Sequence, residues 1–255
     1  MSFPPASDTP IFIDQHAQFQ GTTGSGKTYR ATYQLMARWR QLQRVPQNEY
    51  FIVVVDTKPV PRGFDDAIGN FGVLQKPPFN GHLLHSPLSQ FDFNSLTATR
   101  VIVYRPEESR RSPDYFSEDF EYLHGLQFRD AKGKVSSLPF LIYLDEIIDV
   151  FSSEDTRKEY MIGFSKLMAQ GRSSWQTVWV GSQMPVYIDT SILRLCTASF
   201  VFRLETEDDR LKMARNLGAP MMRDRIPNKH GFWYVNTASE KYGAPTYYDG
   251  VRGRR

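Results

Sequence analysis

Short apolar segments recur along the chain, separated by helical patterns or polar loops. Three of them, FIVVV, FLIYL and TVWVG, are almost continuous runs enriched in β-branched residues, whereas a half-exposed strand would alternate apolar and polar side chains. Continuous runs are typical of central strands in a parallel sheet that is covered on both faces. The pattern predicts strands at residues 17–20, 50–55, 100–104, 139–144, 177–181, 199–204 and 231–235.

Helical patterns lie between these strands. Apolar side chains recur at spacings of three and four in residues 28–43 and again in residues 154–170. A third pattern, residues 206–216, begins after the cap residue Thr206 and ends at Gly218. Strands that alternate with helices predict an α/β fold with a mostly parallel central sheet flanked by helices. The segments 58–97 and 106–137 lack a clear period and are predicted as long loops.

The length and composition favour one domain. Residues 1–10 contain three prolines and are predicted as an N-terminal arm, and residues 11–255 as a single domain with a basic C-terminal tail. No apolar run reaches 18 residues, so no transmembrane segment is predicted. The N-terminus has neither the basic start nor the apolar stretch that a signal peptide needs, so none is predicted. The single cysteine excludes an intrachain disulfide and a Cys/His zinc site. A net charge of +3 permits a polyanionic partner, but only through a local cluster of cations.

One glycine-rich segment carries specific chemistry. Residues 21–28 read GTTGSGKT, which matches the phosphate-binding loop G-x-x-x-x-G-K-[ST], and they follow a short polar strand candidate and open a helix. Lys27 is predicted to reach the β- and γ-phosphates of ATP, and the Thr28 hydroxyl to ligate Mg²⁺. A flexible glycine turn is the alternative. The predicted nucleotide-binding residues are Thr22, Thr23, Gly24, Ser25, Gly26, Lys27 and Thr28.

Two acids follow the apolar run FLIYL. Asp145 and Glu146 would lie at the carboxyl edge of a parallel sheet, where such sheets bind ligands. Asp145 is predicted to hold the Mg²⁺ shell, and Glu146 to polarise the attacking water as general base. The alternative is that both acids cap the next helix. Two strand candidates lie between the loop and these acids in sequence, which permits a strand inserted between the two motif strands.

An amide follows the next apolar run, TVWVG. The Gln183 side chain could donate to the γ-phosphate and accept from the attacking water, and so report on hydrolysis. The alternative is a polar turn residue before Pro185.

These motifs, taken in order, resemble a known group. GTTGSGKT, VVVDTK (53–58), YLDE (143–146), GR (171–172) and GSQMP (181–185) resemble the FtsK/HerA superfamily of DNA-pumping ATPases. The resemblance implies a RecA-like (ASCE) P-loop NTPase fold. Met184 stands where the family often has Arg, and Ser182 where it often has Thr, which weakens the likeness to FtsK itself.

By length, the chain looks most like the genome-packaging ATPases of tailless, membrane-containing icosahedral viruses. That resemblance implies a homo-oligomeric ring, expected as a hexamer, which hydrolyses ATP and drives double-stranded DNA into a preformed capsid. Capsid-vertex proteins would be partners, and the virion packaging vertex or host cytoplasm the location. A neighbour's arginine would complete each site: Arg172 is the first candidate, Arg157 and Arg194 are reserves, and a surface salt bridge is the alternative for each.

Two basic clusters are candidates for DNA contact: residues 129–134 and residues 252–255. They would bind phosphates without reading sequence. Solvated loops are the alternative, and the place of Lys58 is open. Two rival functions are a Zot-like phage assembly or secretion ATPase, for which a long apolar segment is lacking, and a small-molecule kinase. Glu146 and Gln183 disfavour the kinase, which must avoid activating water.

Overall fold

A computed structural model of the protein describes residues 8–43, 50–57, 71–93, 100–129, 135–151 and 162–249. The strands in these ranges are β1 Ala17–Gln20, β2 Phe51–Val55, β3 His82–Leu84, β4 Val101–Tyr104, β5 Gln127–Arg129, β6 Val135–Ser137, β7 Phe140–Leu144, β8 Gln176–Ser182, β9 Ala198–Phe202, β10 Phe232–Asn236 and β11 Thr246–Tyr248. The α-helices are α1 Lys27–Leu42, α2 Gly72–Gln75, α3 Pro113–Gly125, α4 Ile162–Gln170, α5 Thr190–Leu195 and α6 Glu207–Leu217.

The central sheet has the strand order β11-β10-β9-β1-β8-β7-β2-β4-β3. All neighbours from β9 to β3 pair in parallel, and only β10 and β11 are antiparallel. A strand is inserted between β1 and β7, as the sequence permitted, but it is β8, which follows both motifs in the chain; β2 and β4, the candidates between the motifs, lie on the other side of β7. The carboxyl ends of β1, β8 and β7 therefore meet at one edge of the sheet.

Helices cover both faces of this sheet. One core cluster joins side chains of α3, α4, α5 and α6, and the other joins those of α1 and α2. Successive residues of one central strand enter opposite clusters: Ile142 packs on the first side and Tyr143 on the second. Burial on both faces explains the continuous apolar runs, and the predicted α/β fold with a mostly parallel sheet is confirmed.

The predicted elements agree with the structure to within one or two residues at most strand ends. Several short elements were not predicted: the three-residue strands β3, β5, β6 and β11 and the helices α2 and α5, of which α2 and β3 lie in the segment 58–97 predicted as a loop. The longest element missed is helix α3, which lies in the charge-rich segment predicted as a loop. Its apolar stripe of Phe116, Phe120 and Leu123 has helical spacing and is fully buried. The many charged residues beside that stripe hid its period. Of the predicted helix 154–170, residues 162–170 are described and form α4.

Strand β1 is polar because its side chains bind other elements. His16, just before it, accepts at Nδ1 from the Val178 amide and approaches the Met168 carbonyl with Nε2, each at 2.9 Å. Gln18 donates to the Ser199 hydroxyl at 2.9 Å. Burial lowers the pKa of His16 to about 4, so that the ring is neutral at pH 7. The polar strand candidate is thus a buried central strand whose His16 and Gln18 side chains are hydrogen-bonded to neighbouring elements.

Arg38 of helix α1 fixes the chain that precedes β1. Its guanidinium donates to the carbonyls of Ile11 and Phe12 at 2.9 and 2.8 Å. Thr9 is buried against Gln34, so residues 8–10 pack on their own domain. The boundary of the arm at residue 10 stays a prediction. Within the described ranges, no helix is long and apolar enough to cross a membrane.

Candidate active site

The phosphate-binding loop connects β1 to α1. The Gly21 amide donates to Ser182 O at 2.9 Å and the Thr22 amide to Arg203 O at 3.0 Å, which ties the loop to the ends of β8 and β9. Gly24 and Gly26 have φ of 74° and 99°, a left-handed conformation that side chains disfavour. These two glycines turn the chain so that α1 starts directly at Lys27, with its amide end in the loop.

Position 21 requires glycine because its surroundings leave no room for a side chain. A Cβ atom at this position would lie 2.6 Å from the Phe202 Cβ and 2.8 Å from the Ser25 hydroxyl. Ser25 is itself buried, with its side chain turned into the loop. The loop is therefore packed against the end of β9 and is not a free glycine turn.

Lys27 and Thr28 both face the two acids that follow β7. Lys27 Nζ lies 3.1 Å from Glu146 Oε2 and 3.3 Å from the Asp145 carbonyl, and both side chains of the Lys27–Glu146 pair are only 4% exposed. Thr28 Oγ1 donates to Asp145 Oδ1 at 2.9 Å. The structure thus brings together the four residues that the sequence assigned to phosphate, metal and water.

Asp145 is oriented by Tyr143, a residue to which the sequence analysis assigned no role. The Tyr143 hydroxyl donates to Asp145 Oδ1 at 2.9 Å. Burial, and then the charge of Asp145, raise the pKa of Tyr143 well above its usual value, so that the hydroxyl keeps its proton. Alternation along a strand offered a signal, because residues 143 and 145 face the same side of the sheet.

Gln183 connects the acids to the phosphate-binding loop. Its amide N–H donates to Glu146 Oε1 at 3.1 Å, and its side-chain oxygen accepts from the Thr23 hydroxyl at 2.5 Å. A Cβ at Gly181, two residues earlier, would lie 2.4 Å from the Asp145 carbonyl, so glycine permits this close approach of β8 to β7. We call Asp145, Glu146 and Gln183 the acidic flank of the loop.

The Thr28 hydroxyl and the Asp145 carboxylate suit Mg²⁺, which prefers oxygen ligands and usually keeps several waters beside substrate phosphates. Their two oxygens are 2.9 Å apart and so converge on one position. Within the described ranges, no group of three or more His, Cys, Asp or Glu could hold a metal alone. A magnesium ion here would need phosphate oxygens and water to complete its shell.

The opposite side of the loop carries basic residues that no sequence motif indicated. Arg203 follows β9, and its Nε lies 3.0 Å from Glu205 Oε1. Arg225 pairs with the other oxygen of Glu205. Lys229, just before β10, reaches the loop itself, near Gly24. We call Arg203, Glu205, Arg225 and Lys229 the basic flank.

A buried ion pair lies beyond the acidic flank. Asp56 follows β2 in the segment VVVDTK, and its Oδ2 lies 3.1 Å from Arg105 Nη2. Arg105 follows β4, the next strand in the sheet, and both side chains are at most 4% exposed. Arg105 was not predicted as a site residue, although its position directly after a buried strand offered the same signal as that of Asp56.

Arg172 does not lie at this site within the chain. It precedes β8, at the amino edge of the sheet, and its Nε donates to the Asp14 carbonyl at 3.1 Å. Arg194 is exposed near the end of α5. Lys58, Arg157, residues 130–134 and the basic tail 252–255 lie outside the described residues. The trans-acting arginine and the DNA-contacting clusters stay predictions.

Solved structures with the same fold include viral packaging enzymes. The genome packaging NTPase B204 from Sulfolobus turreted icosahedral virus 2, in complex with ATP-gammaS, has a TM-score of 0.64 and 7% identity, covering 95% of this chain and 100% of that chain. Its complex with AMPPCP has a TM-score of 0.65 and 11% identity, covering 94% of this chain and 100% of that chain.

A bacterial ATPase is also similar. EssC (ATPases 2 and 3) from Geobacillus thermodenitrificans has a TM-score of 0.56 and 9% identity, covering 89% of this chain and 39% of that chain. No protein-family model and no curated sequence matches the chain. At these identities the likeness establishes the fold. The chain has the fold of the P-loop ATPases that the FtsK/HerA resemblance predicted, and that prediction is confirmed at this level.

Proposed function

We propose that this chain is an ATP-hydrolysing motor subunit that packages double-stranded DNA into a preformed viral capsid. The observation that carries the proposal is the meeting of Lys27, Thr28, Asp145, Glu146 and Gln183 at one edge of the sheet, within hydrogen-bond distance of one another. The fold shared with a viral genome packaging NTPase supports the assignment of the cargo.

The residues have distinct roles in this proposal. Loop amides and Lys27 bind the triphosphate, and Thr28 and Asp145 are the residues that would hold Mg²⁺, which would supply positive charge to the phosphates when bound. Glu146 is close enough to Lys27 to change partners: when Lys27 turns to a phosphate oxygen, the carboxylate is free to accept a proton from water. Gln183 contacts both Glu146 and Thr23, so a shift at the phosphates moves the strand end of β8.

The finer assignments rest on the resemblance. A ring, expected as a hexamer, would place a neighbour's arginine at each site, and Arg172 can serve only if the amino edge of one subunit faces the carboxyl edge of the next. Double-stranded DNA and capsid-vertex proteins would be the partners, at the packaging vertex or in the host cytoplasm. The ring, the DNA, the vertex proteins and the location are all parts of the proposed function.

ATP turnover by purified protein, with and without double-stranded DNA, tests the proposal together with the mass of the assembly. We expect DNA to stimulate turnover, a ring with a non-hydrolysable ATP analogue, and loss of nucleotide binding in Lys27→Ala. Turnover indifferent to DNA from a protein that stays monomeric with nucleotide would remove the support for packaging. Transfer of phosphate to a nucleoside would instead identify a kinase.

A further inference from the structure

Lys229 lies against the phosphate-binding loop from the side opposite Glu146. A Cβ atom placed on Gly24 would be 3.6 Å from Lys229 Cε and 3.7 Å from Lys229 Nζ. The lysine is far from the loop in sequence, and no motif predicted its position. Its ammonium group thus reaches the segment whose amides are arranged to bind phosphates.

The turn that carries Lys229 is held in place by its own hydrogen bonds. The His230 amide donates to Asn228 Oδ1 at 3.2 Å, and the Gly231 amide donates to the Asn228 carbonyl at 3.1 Å. Asn228 Nδ2 also donates to Asp249. A Cβ at Gly231 would clash with the Tyr247 hydroxyl at 2.2 Å, so the chain passes close under β11. Lys229 is therefore an exposed side chain on a constrained backbone.

The register of the sheet explains why this turn meets the loop. Phe232, at the start of β10, pairs with Phe202 at the end of β9. The next residue, Arg203, accepts hydrogen bonds from the Thr22 amide and hydroxyl at 3.0 and 3.2 Å. The antiparallel return of β10 thus fixes the turn beside the loop.

The two lysines at the loop differ in their counter-ions. Lys27 is buried and paired with Glu146, whereas Lys229 is exposed and, among the described residues, forms no ion pair. Glu205, the carboxylate of the basic flank, already lies between Arg203 and Arg225. A cation with no carboxylate of its own, held beside backbone amides that bind anions, is placed to pair with an oxyanion.

We infer that Lys229 is a second phosphate-binding lysine, supplied by the same subunit, which contacts the β- or γ-phosphate of the nucleotide from the solvent side of Gly24. This inference rests on the proposed binding of ATP and adds a residue to it. Lys27 then holds the phosphate chain from within and Lys229 from outside. Lys229 is a binding residue in this account, because the acids that act on water lie across the loop.

Nucleotide affinity tests the inference. The dissociation constants of ATPγS, ADP and AMP would be measured by calorimetry for the wild type, Lys229→Met, Lys229→Arg and the control Lys76→Met. Lys76 is also exposed, lies beside α2, and its loss changes the net charge equally. We expect Lys229→Met to weaken ATPγS binding about tenfold, as for one charged hydrogen bond, with little effect on AMP. Lys229→Arg should retain most of the affinity, and Lys76→Met all of it.

The outcomes separate this inference from the proposed function. Wild-type affinity for ATPγS in Lys229→Met, alongside lost binding in Lys27→Ala, would overturn the role of Lys229 and leave the nucleotide site intact. An equal loss of affinity for ATPγS and AMP would also overturn it, because AMP lacks the β- and γ-phosphates that Lys229 is inferred to contact. No nucleotide binding by the wild type would refute the proposed function itself. Unchanged thermal unfolding of Lys229→Met would show that the variant is folded.

Discussion

The two flanks of the phosphate-binding loop differ in charge, burial and origin. On the acidic flank the two carboxylates, Asp145 and Glu146, are buried and Gln183 is half-buried. Its residues bond directly to the loop through Lys27, Thr28 and Thr23. The basic flank is largely exposed, and its ion pairs join Glu205 to two arginines. The difference indicates a division of labour, because buried carboxylates have the fixed geometry that proton transfer needs, whereas exposed cations can attract and release an anion.

The burial of the flanks also sets how sensitive each is to substitution. On the acidic flank, removing a charge leaves a buried partner without compensation, which is costly in free energy. On the basic flank, solvent and salt screen each pair, so a single change has a small effect. The following changes test this contrast, from the largest expected effect to the smallest.

Glu146→Gln should stop turnover and retain nucleotide. An amide cannot accept the proton of the attacking water, so kcat should fall by about 10³-fold. Single-turnover hydrolysis and ATPγS affinity would be measured side by side. The matched control is Asp149→Asn, which removes the same charge three residues later, at an exposed carboxylate that accepts from Thr57. Normal hydrolysis in Glu146→Gln would show that another group is the base.

Acid should destabilise strand β1, which leads into the loop that lies between the two flanks. Burial lowers the pKa of His16 from 6.5 to about 4, so the unfolded chain binds a proton that the folded chain rejects between these pH values. The stability from neutral His16 is complete above pH 6.5 and is lost as pH falls towards 4, by about 3 kcal/mol in all.

Denaturant unfolding at several pH values checks this expectation. His16→Gln, which has no group that titrates there, should show a shallower loss of stability than the wild type between pH 6.5 and 4. Nucleotide binding and turnover should fall together in acid as β1 is lost, since the strand leads into the loop. Identical slopes in the two proteins would contradict the assignment to His16.

Tyr143→Phe should weaken the acidic flank without removing a charge. Asp145 loses a buried donor, so the free energy of unfolding should fall by about 2 kcal/mol and kcat by about tenfold as the carboxylate loses its orientation. Tyr104→Phe is the control: Tyr104 is the last residue of β4, and its buried hydroxyl donates to Asp119 of helix α3 at 2.6 Å, away from the site. It should lose similar stability and keep kcat. Equal kcat in both variants would mean that Tyr143 only supports the fold.

Glu205→Gln should have the smallest effect, and it should increase nucleotide affinity rather than reduce stability or turnover. Removing this carboxylate releases Arg203 and Arg225 beside the loop, so ATPγS should bind about two- to fivefold more tightly at low salt and nearly normally at high salt. Glu121→Gln, which breaks the exposed pair with Lys166 at 3.1 Å, should leave affinity unchanged. Weaker binding in Glu205→Gln would refute the picture of an anion-attracting flank.

How far the sequence predicted the site depended on where each residue lies. Lys27, Asp145, Glu146 and Gln183 each stand directly beside a strand or helix end, and parallel strands bring such ends to one edge, so their meeting could be predicted. Lys229 has no such marker, because its place follows from the antiparallel pairing of β10 with β9. Arg172 shows the converse: a motif named the residue, and the fold places it at the amino edge.

The sequence by itself determined the alternation of strands and helices, the phosphate-binding loop and the acids after β7, since local spacing encodes burial and backbone conformation. The tertiary structure alone decided that β8 lies between β1 and β7 and that Lys229 returns to Gly24. These contacts join segments far apart in the chain. Strand order and close packing fix them, and neither leaves a local pattern in the sequence.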